Sequence, residues 1–187
     1  HWYVNQKSYT AEQVCDAPSP APCAVKLSAR ASRASGQFGA FYHDMPVAAV
    51  GGHAVTLSGR IRTQAVTDGW AGLFLSVEAG GQLLAYKNSG NDGARGDSEW
   101  REFSIRVPVA PNAETLRLGT LMTGTGSAWF SELKLVVDGT SKVAPAVFKD
   151  VAAPPRPTPS QTLLADNDLS LPPAAMPAVG PASRRDV

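Results

Sequence analysis

The sequence predicts an all-β protein, a two-sheet antiparallel jelly-roll sandwich of about eight strands that is followed by an extended Pro/Ala-rich tail. Segments with a two-residue hydrophobic period recur between residues 24 and 137, whereas a sustained helical period is missing. Clusters of Gly, Asn, Asp and Pro separate these segments at regular spacing. Composition changes sharply near residue 143, so we expect a sandwich domain over residues 1–143 and a linker or docking tail over 144–187.

Eight segments carry the strand pattern. In the first of them Val25 and Leu27 alternate with Lys26 and Ser28, which is the spacing of a strand with one buried face. The segment 70–77 is apolar at both parities and is therefore predicted to be central and covered on each side. The complete set comprises residues 25–31, 38–45, 55–62, 70–77, 83–88, 102–107, 115–123 and 128–137. Eight short strands favour two packed sheets over an open sheet with exposed edges.

One short helical signal precedes the strands. Thr10 is placed to cap a single turn over Thr10–Val14, and Gln13 follows it by three residues.

An immunoglobulin-like sandwich is the structural alternative to the jelly roll. That fold pairs cysteines on two facing strands around a tryptophan, whereas Cys15 and Cys23 lie eight residues apart.

Cys15 and Cys23 are the only cysteines of the chain and bracket a loop that contains three prolines. Their proximity predicts a local disulfide, which would stabilise the fold by roughly 2–3 kcal/mol through loop closure. Two unrelated buried thiols of a cytosolic protein are the alternative, and a zinc site would require further ligands. A disulfide favours an extracytoplasmic compartment, here the bacterial periplasm, the cell surface or the medium.

Charge and hydropathy exclude two classes of partner. The chain has 17 Lys and Arg against 16 Asp and Glu, a formal net charge of +1. Nucleic-acid-binding domains usually carry a strong basic excess, so no nucleic-acid partner is expected. The longest apolar stretch, residues 45–52, is too short to cross a bilayer.

The tail has nine prolines in the 44 residues from 144 to 187. Proline removes amide donors and disfavours helix in the residue before it, so the tail is predicted to be extended, with polyproline II character. An apolar island over residues 162–171 is suited to dock on a protein partner, while a mere spacer is the alternative. The predicted docking residues are Pro154, Pro155, Pro157, Leu163, Leu164, Leu169 and Leu171.

Five stretches of the strand region share a pattern with a known group of domains. They are His53–Thr63, Trp70–Glu78, Glu99–Val109, Leu116–Leu121 and the closing run Gly126–Leu135. Together they resemble carbohydrate-binding-module-like jelly rolls of bacterial extracytoplasmic proteins. The resemblance implies a domain that is usually non-catalytic and stands beside hydrolases, peptidases or regulators.

Many domains of this group hold a structural calcium with an acidic pair in the last strand. This chain has Ser131-Glu132 at that place, so Glu132 is left as a lone candidate calcium ligand. We expect no other metal or cofactor.

The sequence contains no Gly-x-Ser-x-Gly elbow, no His-Glu-x-x-His motif and no Walker-type loop, and we therefore expect no enzyme activity. The leading hypothesis is an accessory or structural subunit that docks on a larger protein assembly through its tail. The alternative is a carbohydrate-binding module that targets an enzyme to a polysaccharide.

Glycan binding needs aromatic platforms together with side chains that hydrogen-bond to hydroxyl groups. The candidate ligand residues are Trp70, Tyr86, Asn88, Asn91, Asp92 and Arg60. The opposing interpretation places Trp70, Trp100 and Trp129 in the sandwich core. The tripeptide Arg95-Gly-Asp97 matches an integrin-binding motif, or else it only connects two strands.

Overall fold

The computed structural model describes residues 2–5, 8–15 and 23–139, together with the backbone of a strand at 161–164. Its strands are, in chain order, β1 (Trp2–Asn5), β2 (Tyr9–Val14), β3 (Ala24–Ala29), β4 (Phe38–Pro46), β5 (Ala54–Ala79), β6 (Gln82–Asn88), β7 (Ala94–Pro108), β8 (Thr115–Thr123), β9 (Ser127–Asp138) and β10 (Gln161–Leu164). Two 3₁₀ turns lie at Val47–Ala49 and Gly90–Asp92. Within these ranges no helix has the length and apolar character needed to cross a membrane.

The strands form two antiparallel layers that share β5. The N-terminal half of β5 pairs with β7 and β9, and β9 continues to β3 and β2; we call this layer the first sheet. The C-terminal half pairs with β6 and β8, and β8 continues to β4, β1 and β10, which form the second sheet. The predicted all-β antiparallel sandwich is confirmed.

The strand β5 bends where the chain passes from one sheet to the other. The sequence predicts two strands here, but residues 54–79 form one strand of 26 residues. Ala65 and Asp68 adopt positive φ angles of 53° and 56° at the bend. A side chain at Gly69 would collide with the backbone of Thr123, so glycine permits the bend to contact the end of β8. The exposed polar residues of the bend interrupt the strand pattern, which explains why the sequence resembles a loop there.

The core lies between the sheets and takes alternate residues from both. Fully buried side chains on the inner faces are Leu27, Leu57, Ile61, Leu73, Leu75, Leu116, Met122 and Phe130. Burial of each side chain of this size contributes roughly 1.5–3 kcal/mol. Residues 71–77 are buried at every position, which confirms the predicted central placement of this segment.

Residues Tyr9–Val14 form β2, so the helical turn predicted at Thr10–Val14 is wrong. All six residues pair with β3 in antiparallel register. The Tyr9 side chain is fully buried, and its hydroxyl donates to the carbonyl oxygens of Gly124 at 2.8 Å and Gln37 at 3.2 Å. Strand pairing and this burial outweigh the local capping pattern, which is worth only about 1 kcal/mol.

The predicted disulfide between Cys15 and Cys23 is confirmed. Cys15 follows the last residue of β2 and Cys23 precedes the first residue of β3, where Val14 and Ala24 are register partners. The Cα atoms of the two cysteines are 3.9 Å apart. The disulfide therefore closes the β2–β3 hairpin one residue beyond its last strand pair.

Part of the predicted docking tail pairs with the chain itself. The backbone of Gln161–Leu164 runs antiparallel to β1, with Leu163 opposite Tyr3 and Leu164 opposite Trp2. The edge of β1 is thereby covered by a strand of the same polypeptide. The other predicted docking residues lie outside the described residues: Pro154, Pro155, Pro157, Leu169 and Leu171.

Replacing Tyr9 by Phe should lower the free energy of unfolding by about 1–2 kcal/mol, because the carbonyl oxygens of Gly124 and Gln37 lose the hydroxyl proton that they share. Urea denaturation followed by circular dichroism measures the change. Tyr86→Phe is the matched control: its hydroxyl is exposed, and we expect a change within about 0.5 kcal/mol. Equal stability of Tyr9→Phe and the wild type would contradict the role of this hydroxyl.

The same residue should make stability depend on alkaline pH. Burial raises the pKa of Tyr9, and the positive charge of Arg33 opposes this only in part. Above pH 10 the unfolded chain loses a tyrosine proton that the folded chain keeps, so stability falls as the pH rises. Tyr9→Phe should flatten this decline between pH 9 and 11, and an unchanged slope would exclude the effect.

Candidate functional site

The outer face of the second sheet carries six aromatic side chains, and we call it the aromatic face. Strand register places them together, since Tyr3 lies opposite Tyr42, Tyr42 opposite Gly119, and Gly119 opposite Phe74. Residues of the other parity in these strands point into the core. The rings belong to Tyr3, Phe38, Tyr42, Trp70, Phe74 and Tyr86.

The rings form a buried floor with exposed rings around it. Tyr42 and Phe74 are buried, with ring centroids 6.3 Å apart in an edge-to-face arrangement. Tyr3 stacks on Tyr42 at a centroid distance of 5.5 Å. At the margins Tyr86 is 48% exposed and Phe38 is 46% exposed. The face therefore offers aromatic surface whose position is fixed from below.

The Trp70 indole packs against the backbone at Gly72 and Gly93, where any larger side chain would collide with it. A Cβ atom on Gly93 would be 2.8 Å from Cε3 of Trp70, and one on Gly72 would be 3.0 Å from Cζ3. The backbone N–H of Trp70 donates to the Thr123 hydroxyl at 3.1 Å, which holds the strand next to β8. The two glycines thus form the seat of the Trp70 indole.

A charged cluster adjoins the rings. Arg117 donates to both carboxylate oxygens of Asp44, at 2.6 Å from Nε and 2.8 Å from Nη2, and lies 3.8 Å from Glu78. Its guanidinium carbon lies 4.8 Å from the centroid of the Tyr42 ring. The hydrogen bond to Asp44 raises the pKa of Arg117, although burial opposes the shift, so this side chain stays charged. The cluster presents fixed donors and acceptors next to aromatic surface.

Five of the predicted ligand residues lie along the aromatic face or in the turn beside it, with Asn88 opposite Phe74 and Tyr86 opposite Ser76. Asn88 donates from Nδ2 to the Tyr86 hydroxyl at 3.1 Å. Asn91 and Asp92 are exposed in the 3₁₀ turn after β6, close to the Trp70 seat. Arg95 holds that turn by donating to the carbonyl oxygens of Asn91 at 2.7 Å, Gly93 at 3.2 Å and Gly90 at 3.3 Å.

Arg60 does not belong to this group, contrary to the sequence-based grouping. The bend of β5 carries Arg60 and Trp70 onto different sheets. Arg60 lines an open cavity of about 670 Å³ on the outer face of the first sheet, which we call the charged groove. Its lining residues are Ser58, Gly59, Arg60, Glu102, Glu132, Leu133 and Lys134.

The structure also bears on the two interpretations of Arg95-Gly-Asp97 and of Trp129. Arg95 is engaged by the turn carbonyls, and Asp97 Oδ1 accepts from the backbone N–H of Ala65 at 2.7 Å, so both charges of the tripeptide serve the fold. Trp129 lies outside the main core, on the outer face of the first sheet, between Lys26 and Arg62.

Glu132 lies beside Lys134 and Arg60, a setting that disfavours a cation. No group of three or more His, Cys, Asp or Glu side chains suited to a metal ion occurs in the part of the chain that the structure describes.

Sequence reasoning did not include Phe38, Tyr42 and Arg117 in the site. Phe38 and Tyr42 share one parity of β4, which is a signal for a common face. The sequence alone does not tell which face meets the core, because that depends on pairing with β8.

Solved structures of other proteins share the fold of this chain. No protein-family model matches the sequence, and no curated protein matches it significantly. Among solved structures, the CBM22-1 xylan-binding domain from Paenibacillus barcinonensis Xyn10C has a TM-score of 0.55 at 11% identity, over 76% of this chain and 87% of that chain. This chain has the fold of a carbohydrate-binding module.

Two longer proteins contain a similar part. The enzymatically active domain of bacteriophage CBA120 tailspike protein 4 gives a TM-score of 0.55 at 12% identity, over 73% of this chain and 19% of that chain. The CBM22-1-GH10 modules of Clostridium thermocellum endo-1,4-beta-D-xylanase 10B give 0.54 at 14% identity, over 74% and 26%. This chain thus corresponds to about a fifth to a quarter of those proteins' length. The Cys15–Cys23 disulfide is typical of proteins in oxidising compartments outside the cytosol.

Replacing Gly93 by Ala should displace Trp70 from its seat. Backbone strain is not introduced, since φ of Gly93 is −64°, so the effect comes from the added methyl group alone. We expect a loss of about 1–3 kcal/mol in the free energy of unfolding, together with altered near-UV circular dichroism and tryptophan fluorescence. Gly139→Ala is the control, because its Cβ atom would meet nothing within 4 Å. An unchanged spectrum and an unchanged stability of Gly93→Ala would show that Gly93 does not hold the Trp70 indole in place.

Proposed function

We propose that this chain is a carbohydrate-binding module that holds a sugar chain on the aromatic face. The observation that carries the proposal is the combination of exposed rings with fixed polar groups on that face. The apolar side of a sugar ring packs on an aromatic ring, while its hydroxyl groups need donors and acceptors at the margin. A fold shared with carbohydrate-binding modules supports the same conclusion.

Each part of the face has a role in this proposal. Trp70 and Tyr86 serve as platforms for sugar rings, and Asn88 donates to or accepts from hydroxyl groups between them. Tyr42 and Phe74 form the buried floor that keeps the platforms in place. Because these groups are already ordered, a bound glycan loses little free energy to the ordering of side chains.

Xylan is the first ligand to test, because two similar structures are named for xylan or xylohexaose. In this proposal the chain binds without catalysis and acts at the cell surface, in the periplasm or in the medium.

Docking of the tail on a protein assembly has weaker support. The backbone of residues 161–164 already pairs with β1 of the same chain. For the predicted docking residues outside the described ranges, attachment to a partner stays a prediction. It concerns a different part of the chain and is compatible with glycan binding by the sandwich.

Trp70→Ala and Tyr86→Ala should each weaken binding of xylohexaose about tenfold or more, which corresponds to about 1.4 kcal/mol. Isothermal titration calorimetry on the full chain measures the affinity, after affinity electrophoresis against a panel of soluble polysaccharides. Val136→Ala is the control, because Val136 is 45% exposed on β9 of the first sheet and resembles Tyr86 in exposure. Its affinity should equal that of the wild type.

Two outcomes would contradict the proposal. In one, no soluble polysaccharide of the panel retards the protein. In the other, binding occurs but both ring variants bind as tightly as the wild type, which would place the ligand on another surface.

A further inference from the structure

The charged groove is distant from the aromatic face and has a different chemistry. It lies on the outer face of the first sheet and extends across the neighbouring strands β7, β5 and β9. Two cationic side chains, Arg60 and Lys134, line it together with two carboxylates, Glu102 and Glu132. No aromatic ring lines it, so it offers no stacking surface for a sugar. It is open to solvent and has a volume of about 670 Å³.

The four charges of the groove do not pair with one another. Arg60 and Glu102 are direct register partners on β5 and β7, a position at which opposite charges commonly form an ion pair. Yet the ion pairs found among the described residues join other side chains: Lys26–Glu12, Arg106–Asp138, Arg117–Asp44 and Arg117–Glu78. The two positive and two negative groups of the groove therefore lie beyond ion-pair distance of one another.

Glu132 is held in an unfavourable backbone conformation at the same place. Its φ angle is 54°, the left-handed region that favours glycine. It lies in a β-bulge, where the register between β5 and β9 shifts between Ser58 and Arg60. A bulge re-aims a side chain, and strained residues concentrate at functional sites. Glycine at this position would relieve the strain but would remove the carboxylate from the groove.

We propose that the charged groove binds a small zwitterion, a molecule with a carboxylate and an ammonium group such as an amino acid or a dipeptide. An ion of one sign would be attracted by one pair of side chains and repelled by the other. Glu102 on β7 and Glu132 on β9 flank Arg60, which lies on β5 between them. A zwitterion satisfies both signs of charge: its carboxylate binds Arg60 and Lys134, while its own ammonium is attracted by the two flanking carboxylates. This site is independent of the glycan site.

Titration of the ¹⁵N-labelled full chain with diglycine, followed by NMR at low ionic strength, tests the proposal. We expect saturable shifts of backbone amides at Arg60, Glu102 and Glu132, and at least tenfold weaker binding of acetate or methylammonium alone. Arg60→Gln and Glu102→Gln should each weaken diglycine binding at least fivefold. Lys87→Gln, which removes an exposed charge from β6, should leave the affinity unchanged.

Glu132→Gly separates a binding role from a structural one. Relief of the backbone strain should raise the melting temperature, while loss of the carboxylate should weaken diglycine binding at least fivefold. Amide dispersion in the NMR spectrum confirms that each variant is folded, and Arg60→Lys replaces Arg60→Gln if the latter is not.

The proposal is overturned if the shifts grow without saturation or if acetate binds as tightly as diglycine. Unchanged affinity of the Arg60 and Glu102 variants would overturn it equally. Because diglycine and xylohexaose probe opposite faces, failure here leaves the glycan proposal intact, and the reverse also holds.

Discussion

The bend in β5 is the constraint on which the architecture depends. One strand of 26 residues contributes its first half to one sheet and its second half to the other. The bend holds because the turn between β8 and β9 packs on it, with the backbone N–H of Thr125 donating to the Thr67 carbonyl oxygen at 2.9 Å. β7 also follows the bend, since its first residue, Ala94, pairs with Ala71 in the second half of β5. The bend also decides function, since it sends Arg60 and Trp70 to opposite outer faces.

The two outer faces differ because different side chains are left over once the core is filled. The inner faces use the aliphatic residues of both sheets. On the second sheet several of the remaining positions hold rings, and Phe74 and Tyr42 are buried there in a small cluster that is separate from the main core. On the first sheet most of them hold charges and hydroxyl groups, such as Arg60 and Ser58. One face is thus suited to stacking and the other to ionic recognition.

The sequence alone predicts the strands correctly where they depend only on the local two-residue hydrophobic period. The strands at 38–45, 83–88 and 115–123 are found within one or two residues of their predicted ends. The sequence does not predict the features that depend on pairing between distant segments of the chain. The capping pattern at Thr10 was overruled by pairing with β3, and no local signal shows that Tyr42 shares a face with Trp70. Likewise Arg60 was grouped with Trp70, although the bend of β5 between them places the two residues on different sheets.

The most direct measurement of the central claim is the ¹H–¹⁵N spectrum of the tryptophan indoles during titration with an oligosaccharide that the chain binds. The indole signals of Trp70 and Trp129 report on the two outer faces separately. Binding on the second sheet predicts that the Trp70 signal shifts and saturates with the ligand while the Trp129 signal stays in place. A shift at Trp129 with Trp70 unmoved would show that the sugar occupies the first sheet, and the account of the aromatic face would be wrong.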